Sequence, residues 1–181
     1  MKKSICKFIL KILGWKADVT VPDFKKCVII VAPHTSNWDF LLGEIYYAST
    51  GRKAKILMKK EWFFFPMNII LKCIGVIPVN RGKNMSMTDQ LIERAKQQDE
   101  FHLAITPEGT RSANGRWKSG FYYIALGAKI PIVAYAIDYS QKIIIGKKVF
   151  YPTGDFDNEI KEIKTYYSQF TGKKPENFKI K

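Results

Sequence analysis

The chain has 181 residues, with 30 Lys and Arg against 16 Asp and Glu, and a formal net charge of +14. That length suits one domain and leaves no room for a second, and 46% hydrophobic with 14% aromatic residues excludes intrinsic disorder. The cationic excess calls for an anionic partner, either nucleic acid or a phospholipid surface.

The chain opens with a helix expected over Ser4–Leu13, in which Ile5, Phe8, Ile9, Ile12 and Leu13 recur at helical spacing and Lys3, Lys7 and Lys11 line another face. Lysines interrupt the apolar run and no small-residue cleavage site follows, so it is neither a signal peptide nor a bilayer span. Residues 1–15 therefore read as a basic amphipathic helix for an anionic membrane surface, with Trp15 as its interfacial anchor. The alternative is an amphipathic helix packed on the domain's own core. Residues 16–181 form the remaining domain.

Apolar β-branched runs then alternate with amphipathic segments. Strands are expected at Cys27–Ala32, Lys55–Met58, Val76–Asn80, His102–Thr106, Ile132–Asp138 and Ile143–Phe150. Further helices are expected at Phe40–Thr50, Phe63–Cys73, Ser86–Gln98, Gly120–Gly127 and Asn158–Phe170. This alternation predicts an α/β sandwich, a mixed and mostly buried sheet covered by helices. The stretch from Trp62 to Val79 carries Lys72 as its only charge, but Pro66, Asn68, Gly75 and Pro78 break it. It reads as a buried helix and a strand, or as an apolar surface formed by Trp62, Phe63, Phe64, Phe65 and Met67.

Two strand ends carry chemistry, where open α/β sheets bind ligands. The first runs Pro33-His34-Thr35-Ser36-Asn37-Trp38-Asp39. Thr35, Ser36 and Asn37 are candidate helix caps, which puts Asp39 in the first turn, able to fold back on His34. An Asp on one ring nitrogen fixes the tautomer and leaves the other nitrogen free to take a proton. Taken alone, such a pair is more often a satisfied surface pair, common in caps and turns. The second end reads Thr106-Pro107-Glu108-Gly109-Thr110-Arg111-Ser112, a tight turn ending in a guanidinium suited to phosphate or to solvent. Another strand ends at Asn80-Arg81-Gly82.

In this order the motifs resemble the glycerolipid acyltransferases, the 1-acylglycerol-3-phosphate acyltransferase family. The family's His and Asp separated by four residues correspond to His34 and Asp39, and its Pro-Glu-Gly-Thr-Arg-Ser run to Pro107–Ser112. The Arg after an apolar strand corresponds to Arg81, and an apolar patch around a Pro to Ile130-Pro131-Ile132-Val133. Pro33, Thr106 and Asn80 depart from the family's frequent Asn, Phe and Asp.

The resemblance implies a glycerol-3-phosphate acyltransferase-like fold and direct acyl transfer from a thioester to the hydroxyl of a lysophosphatidate-like lysolipid. It makes His34 the general base and Asp39 its orienting partner. Arg81 and Arg111 would hold the acceptor phosphate, in a pocket shaped by Glu108, Gly109 and Thr110. The donor would be acyl-CoA or acyl-carrier protein, with no metal and no other cofactor. Glycerol 3-phosphate, another lysophospholipid or a lyso-aminolipid are alternative acceptors, and a non-catalytic basic lipid-binding module is the alternative of another class.

No RNP or helix-turn-helix motif supports nucleic acid as partner. Cys6, Cys27 and Cys73 have no Cys-x-x-Cys spacing, and His34 and His102 are the only histidines, which argues against a disulfide framework or zinc site. The expected location is cytoplasmic and peripheral, on the inner face of the membrane. His102, beside no obvious partner in sequence, is expected to be structural.

Overall fold

The computed structural model describes residues 2–52, 54–59, 64–66, 68–69, 76–79 and 86–180. The elements are α1 (Lys2–Ile12), β1 (Lys16–Val19), β2 (Lys26–Val31), α2 (Asn37–Thr50), β3 (Lys55–Lys59), β4 (Val76–Val79), α3 (Met87–Gln97), β5 (Phe101–Ile105), α4 (Gly120–Ala128), β6 (Ile132–Asp138), β7 (Ile143–Phe150) and α5 (Phe156–Tyr167), followed by a 3₁₀ turn at Pro175–Asn177. Among the described residues, seven strands make one sheet in the order β1-β7-β6-β2-β5-β3-β4. Every pairing is parallel except β6 with β7, which are antiparallel. The expected α/β architecture with a mixed, largely buried sheet is therefore the one observed.

Side chains alternate across each strand, and both faces are covered. Val28 and Ile30 of β2, with Leu103, Ile132 and Ala134, face Leu91, Phe121, Ile124, Ile163 and Tyr167 of α3, α4 and α5. Cys27 and Ile29, with Val133, Tyr135 and Ile137, face Leu10 of α1 and Leu42, Tyr46 and Tyr47 of α2. Strand β6 is buried at all seven positions, which is why its sequence reads as an unbroken apolar run. Each large apolar side chain taken fully out of water on these faces contributes about 1.5–3 kcal/mol.

The expected strands and described helices appear with ends shifted by up to three residues. Helix α2 begins at Asn37 and α5 at Phe156, each ahead of the expected start, because Ser36 and Asp155 act as N-caps by accepting backbone N–H bonds. Strand β1 was not expected. Its sequence, Lys-Ala-Asp-Val, has no apolar run, and it holds its place at the sheet edge through backbone pairing with β7 and the Asp18–Lys147 ion pair. Of the helix expected over Phe63–Cys73, Asn68 and Ile69 are helical, and 63, 67 and 70–73 lie outside the described residues.

Helix α1 packs on the domain's own core and keeps apolar side chains on its outer side as well. Cys6 and Leu10 are buried, while Ile5, Phe8, Ile12 and Leu13 remain exposed on its outer side. The exposed large apolar residues also include Trp38, Phe40 and Leu41 at the start of α2 and Phe64, Phe65 and Ile69. Among the described residues, no helix is long and apolar enough to cross a membrane.

Candidate active site

The site lies at the carboxyl ends of β2 and β5, which pair in the middle of the sheet. After β2 the chain reaches Ser36, the N-cap of α2, and Asp39 completes a capping box as the third helical residue. That position gives Asp39 a second job. Its Oδ2 accepts the backbone N–H groups of Thr35 at 2.7 Å and Ser36 at 2.8 Å and lies 3.3 Å from Nδ1 of His34. Its Oδ1 accepts the phenol O–H of Tyr139 at 2.7 Å.

Burial alone would push the Asp39 carboxyl up. The imidazole of His34 beside it and the hydrogen bonds from Tyr139, Ser36 and Thr35 more than offset this and hold it below its ordinary value. The His34–Asp39 contact is close but not aligned as a hydrogen bond, since the buried Nδ1 makes none in this geometry. The imidazole thus sits with Nδ1 against a carboxylate, and its Nε2 has no hydrogen-bond partner among the described residues.

The Glu-Gly-Thr-Arg turn approaches His34 from β5. Glu108 is buried, and its Oε1 accepts the His34 backbone N–H at 2.7 Å. Desolvation pushes its carboxyl up to about 8, against the pull of the His34 N–H, and the charge of Asp39 adds to the rise. The carboxyl that the sequence reading put in the acceptor pocket therefore braces the backbone of His34. Gly109 has φ +65, a left-handed conformation that an L side chain rarely adopts, so a glycine is needed at this bend. The turn is closed by Gly109 N–H to Thr106 C=O and by Lys118 N–H to Pro107 C=O. Beyond it, Arg111 donates from Nη1 to Oδ1 of Asn37, which ties the turn to the start of α2. Arg81 lies outside the described residues.

A cavity of about 580 Å³ opens between α2 and the sheet. His34, Asp39, Asn37 and Arg111 line it, together with an apolar wall that includes Ile29, Val31, Phe40, Ala104, Ile105 and Ile137. Gly43 faces it, and a methyl there would meet nothing within 4 Å. Glu108, Gly109 and Thr110 do not line this cavity, and Arg111 does. Its size falls in the usual range of small-molecule sites, about 300–1,000 Å³.

The segment after α5 closes over the motif loop. Lys174 N–H donates to Oγ1 of Thr35, and the Lys173 ammonium lies 4.7 Å from the centre of the Trp38 ring. Gly172 passes so close that an added Cβ would stand 2.8 Å from Oγ1 of Thr35 and 3.1 Å from Cβ of Pro33.

Tyr139 and this C-terminal segment are the parts of the site that sequence reasoning missed. Tyr139 carried one legible signal, its place just beyond the carboxyl end of the expected strand Ile132–Asp138. His102 has two partners, not none. Its Nε2 meets the Phe24 carbonyl at 2.8 Å, so that nitrogen carries the proton, and Nδ1 accepts the Tyr47 hydroxyl at 2.6 Å. Among the described residues, no group of three or more His, Cys, Asp or Glu side chains converges as a metal site would need. Cys6 and Cys27 are free and buried, and burial pushes the Cys27 thiol up to about 12.

A model of the acyltransferase family matches residues 17–138, from β1 to the end of β6. A probable 1-acyl-sn-glycerol-3-phosphate acyltransferase of Mycoplasma pneumoniae is 31% identical over 157 residues, which is 80% of this chain and 57% of that protein. The human 1-acyl-sn-glycerol-3-phosphate acyltransferase beta is 29% identical over 141 residues, 74% of this chain and 49% of that protein. The chain thus spans about half the length of the curated relatives it matches. The crystal structure of the 1-acyl-sn-glycerophosphate acyltransferase of Thermotoga maritima covers 93% of this chain and 74% of its own, with a TM-score of 0.61 at 17% identity, so the two share a fold. With the family model spanning the His34–Asp39 pair and the Glu108–Arg111 turn alike, the chain belongs to the glycerolipid acyltransferase family.

Proposed function

We propose that the protein is an O-acyltransferase that moves a fatty acyl chain from a thioester to the hydroxyl of a lysophosphatidate-like acceptor, with His34 as general base. The observation that carries this reading is the His34–Asp39 contact of 3.3 Å at a cavity whose remaining wall is mostly apolar, with Arg111 on the same cavity. The acceptor hydroxyl gives its proton to Nε2 of His34 as its oxygen attacks the thioester carbonyl. Asp39, ionised and fixed, stabilises the imidazolium that forms, a contribution of about 10²–10⁴ in rate for a placed base. Collapse of the tetrahedral intermediate breaks the carbon–sulfur bond, and the imidazolium proton goes to the departing thiolate. Arg111 binds the acceptor phosphate with its planar fork of donors, together with Arg81. The apolar wall of the cavity suits the acyl chain.

The donor is acyl-CoA or acyl-carrier protein, both anionic. Lys3, Lys7, Lys11 and Lys16 line a groove of about 640 Å³ beside α1, and none of them has an acidic partner among the described residues. With the exposed Ile5, Phe8 and Ile12, this composition supports a peripheral site on an anionic membrane surface, which the negatively charged cytoplasmic leaflet provides.

The reaction is tested by incubating the protein with acyl-CoA or acyl-carrier protein, anionic vesicles and a panel of acceptors, and following thiol release. Release that depends on lysophosphatidate and is lost in His34→Ala is the expected result. Release that persists in His34→Ala, or silence with every acceptor and both donors, would overturn the reading. For the membrane, Phe8→Ser with Ile12→Ser leaves the buried Cys6 and Leu10 in place and should weaken sedimentation with anionic vesicles at least tenfold, about 25 cal/mol per Å² of lost apolar contact. Unchanged sedimentation would remove α1 from the docking face.

A further inference from the structure

The carboxylate of Asp39 is held unevenly. Three groups converge on Oδ2, the N–H bonds of Thr35 and Ser36 and the imidazole of His34. Oδ1 has a single donor among the described residues, the Tyr139 phenol, which arrives from 100 positions away in sequence. Asp39 is itself buried, so Oδ1 would otherwise face a low-dielectric interior with no donor.

Tyr139 is in turn fixed from two sides. Its backbone N–H donates to the Thr171 carbonyl at 2.9 Å. The Trp15 indole meets its ring edge-on, with centroids 5.0 Å apart and planes at 86°. Trp15 is the joint between α1 and β1: its N–H closes the last turn of α1 on Leu10, and the next residue begins the pairing of β1 with β7. A continuous line of contacts therefore runs from α1, through Trp15 and Tyr139, to the carboxylate beside His34.

We infer that Tyr139 is a positioning residue for the His34–Asp39 pair, and that Trp15 makes the set of that pair depend on how α1 is seated. The inference rests on the acyl-transfer reading of the site. Tyr139 fixes the rotation of the carboxylate and spreads its charge over a second oxygen. Burial and the bond to Asp39 both push the phenol up from its ordinary value, so it stays a donor across the working pH range.

Among the described residues, the other charged and titratable groups around the pair are Glu108 from the β5 turn, Arg111 held by Asn37, Glu44, Tyr46, Tyr47 and Tyr135 on the same cavity, Lys173 on the Trp38 ring, Lys174 through its backbone, and Tyr167 behind Glu108. Tyr139→Phe leaves each of these in place. Without the phenol the carboxyl of Asp39 binds a proton more readily, which carries the acid limb of the pair's titration to higher pH.

The test uses the full chain and compares kcat and kcat/KM against pH for the wild type, Tyr139→Phe, Trp15→Phe and Trp15→Ala, with thermal midpoints measured alongside. Tyr139→Phe should lower kcat by about tenfold, leave the acceptor KM unchanged within about twofold, and move the acid limb up by about half a unit to one unit. Trp15→Phe should behave as wild type, and Trp15→Ala should move the limb the same way by less. A wild-type limb in an active Tyr139→Phe, whatever its thermal midpoint, would reduce Tyr139 to a packing residue and overturn the inference while leaving the acyl-transfer reading intact. If the wild type transfers no acyl group, the acyl-transfer reading fails separately, and carbon-13 titration of the Asp39 carboxyl decides the inference. A value raised in Tyr139→Phe upholds the positioning role, and an unmoved one overturns it.

Discussion

Asp39 and Glu108 are both buried, and both reach His34 from the carboxyl ends of two neighbouring parallel strands. Burial acts on the two carboxyls in the same direction. What separates them is the number of donors each collects. Asp39 receives two backbone N–H groups and a phenol, and stands 3.3 Å from an imidazole. Glu108 receives one backbone N–H among the described residues, that of His34 itself. One is therefore held below its ordinary value and the other pushed up to about 8. Two carboxyls set apart in this way divide the work around a histidine, the ionised one serving the ring and the neutral one the backbone. The capping box makes the difference, because a residue at the third position of α2 collects backbone donors that a residue in a β-turn does not.

The comparison breaks most visibly at Asp39. In Asp39→Asn the amide oxygen keeps the place of Oδ2, where the Thr35 and Ser36 N–H groups require an acceptor. The geometry of His34 is then preserved while the charge that stabilises its protonated form is gone. Turnover should fall about a hundred- to a thousandfold with acceptor KM little changed. Single-turnover thiol release measures this directly, and a loss under tenfold would mean that the pair is a helix cap and not a base with its partner.

How far this division could be seen in the sequence differs between its halves. The apolar runs of β2 and β6 and the Ser36 cap were legible, because periodicity and capping are local. So was the return of Asp39 towards His34, since five positions and one helical turn determine it. The place of Glu108 was not. Its motif reads in sequence only as a tight polar turn, and only the pairing of β5 beside β2 brings its side chain behind His34, 74 positions earlier. Tyr139 was hidden for the same reason, and β1 because an edge strand of Lys-Ala-Asp-Val carries no hydrophobic signal of its own.

The smallest effect is the most discriminating. With its carboxyl pushed up to about 8, Glu108 is largely protonated at pH 7, and Gln is then its isostere: the amide oxygen accepts the His34 N–H. Glu108→Gln should keep kcat within about threefold of wild type, where Asp39→Asn does not. Its mark appears in stability against pH. Folded Glu108 holds a proton that the unfolded chain, with a value near 4.5, has already released. Its contribution is complete below that value and is lost as pH rises towards 8, a decline of at most about a few kcal/mol. Asp39 has the opposite sign, since its stabilisation is present above the ordinary carboxyl value and is lost only as pH falls through its lowered one. Between pH 5 and 8, then, Glu108 is the one of the two carboxyls that titrates. Thermal midpoints should decline across that window in the wild type and less steeply in Glu108→Gln, where Glu44, also raised by burial, keeps its share. A parallel decline in both would place the proton elsewhere, and a large loss of turnover in Glu108→Gln would mean that Glu108 acts as a charge, putting both carboxyls in the same role.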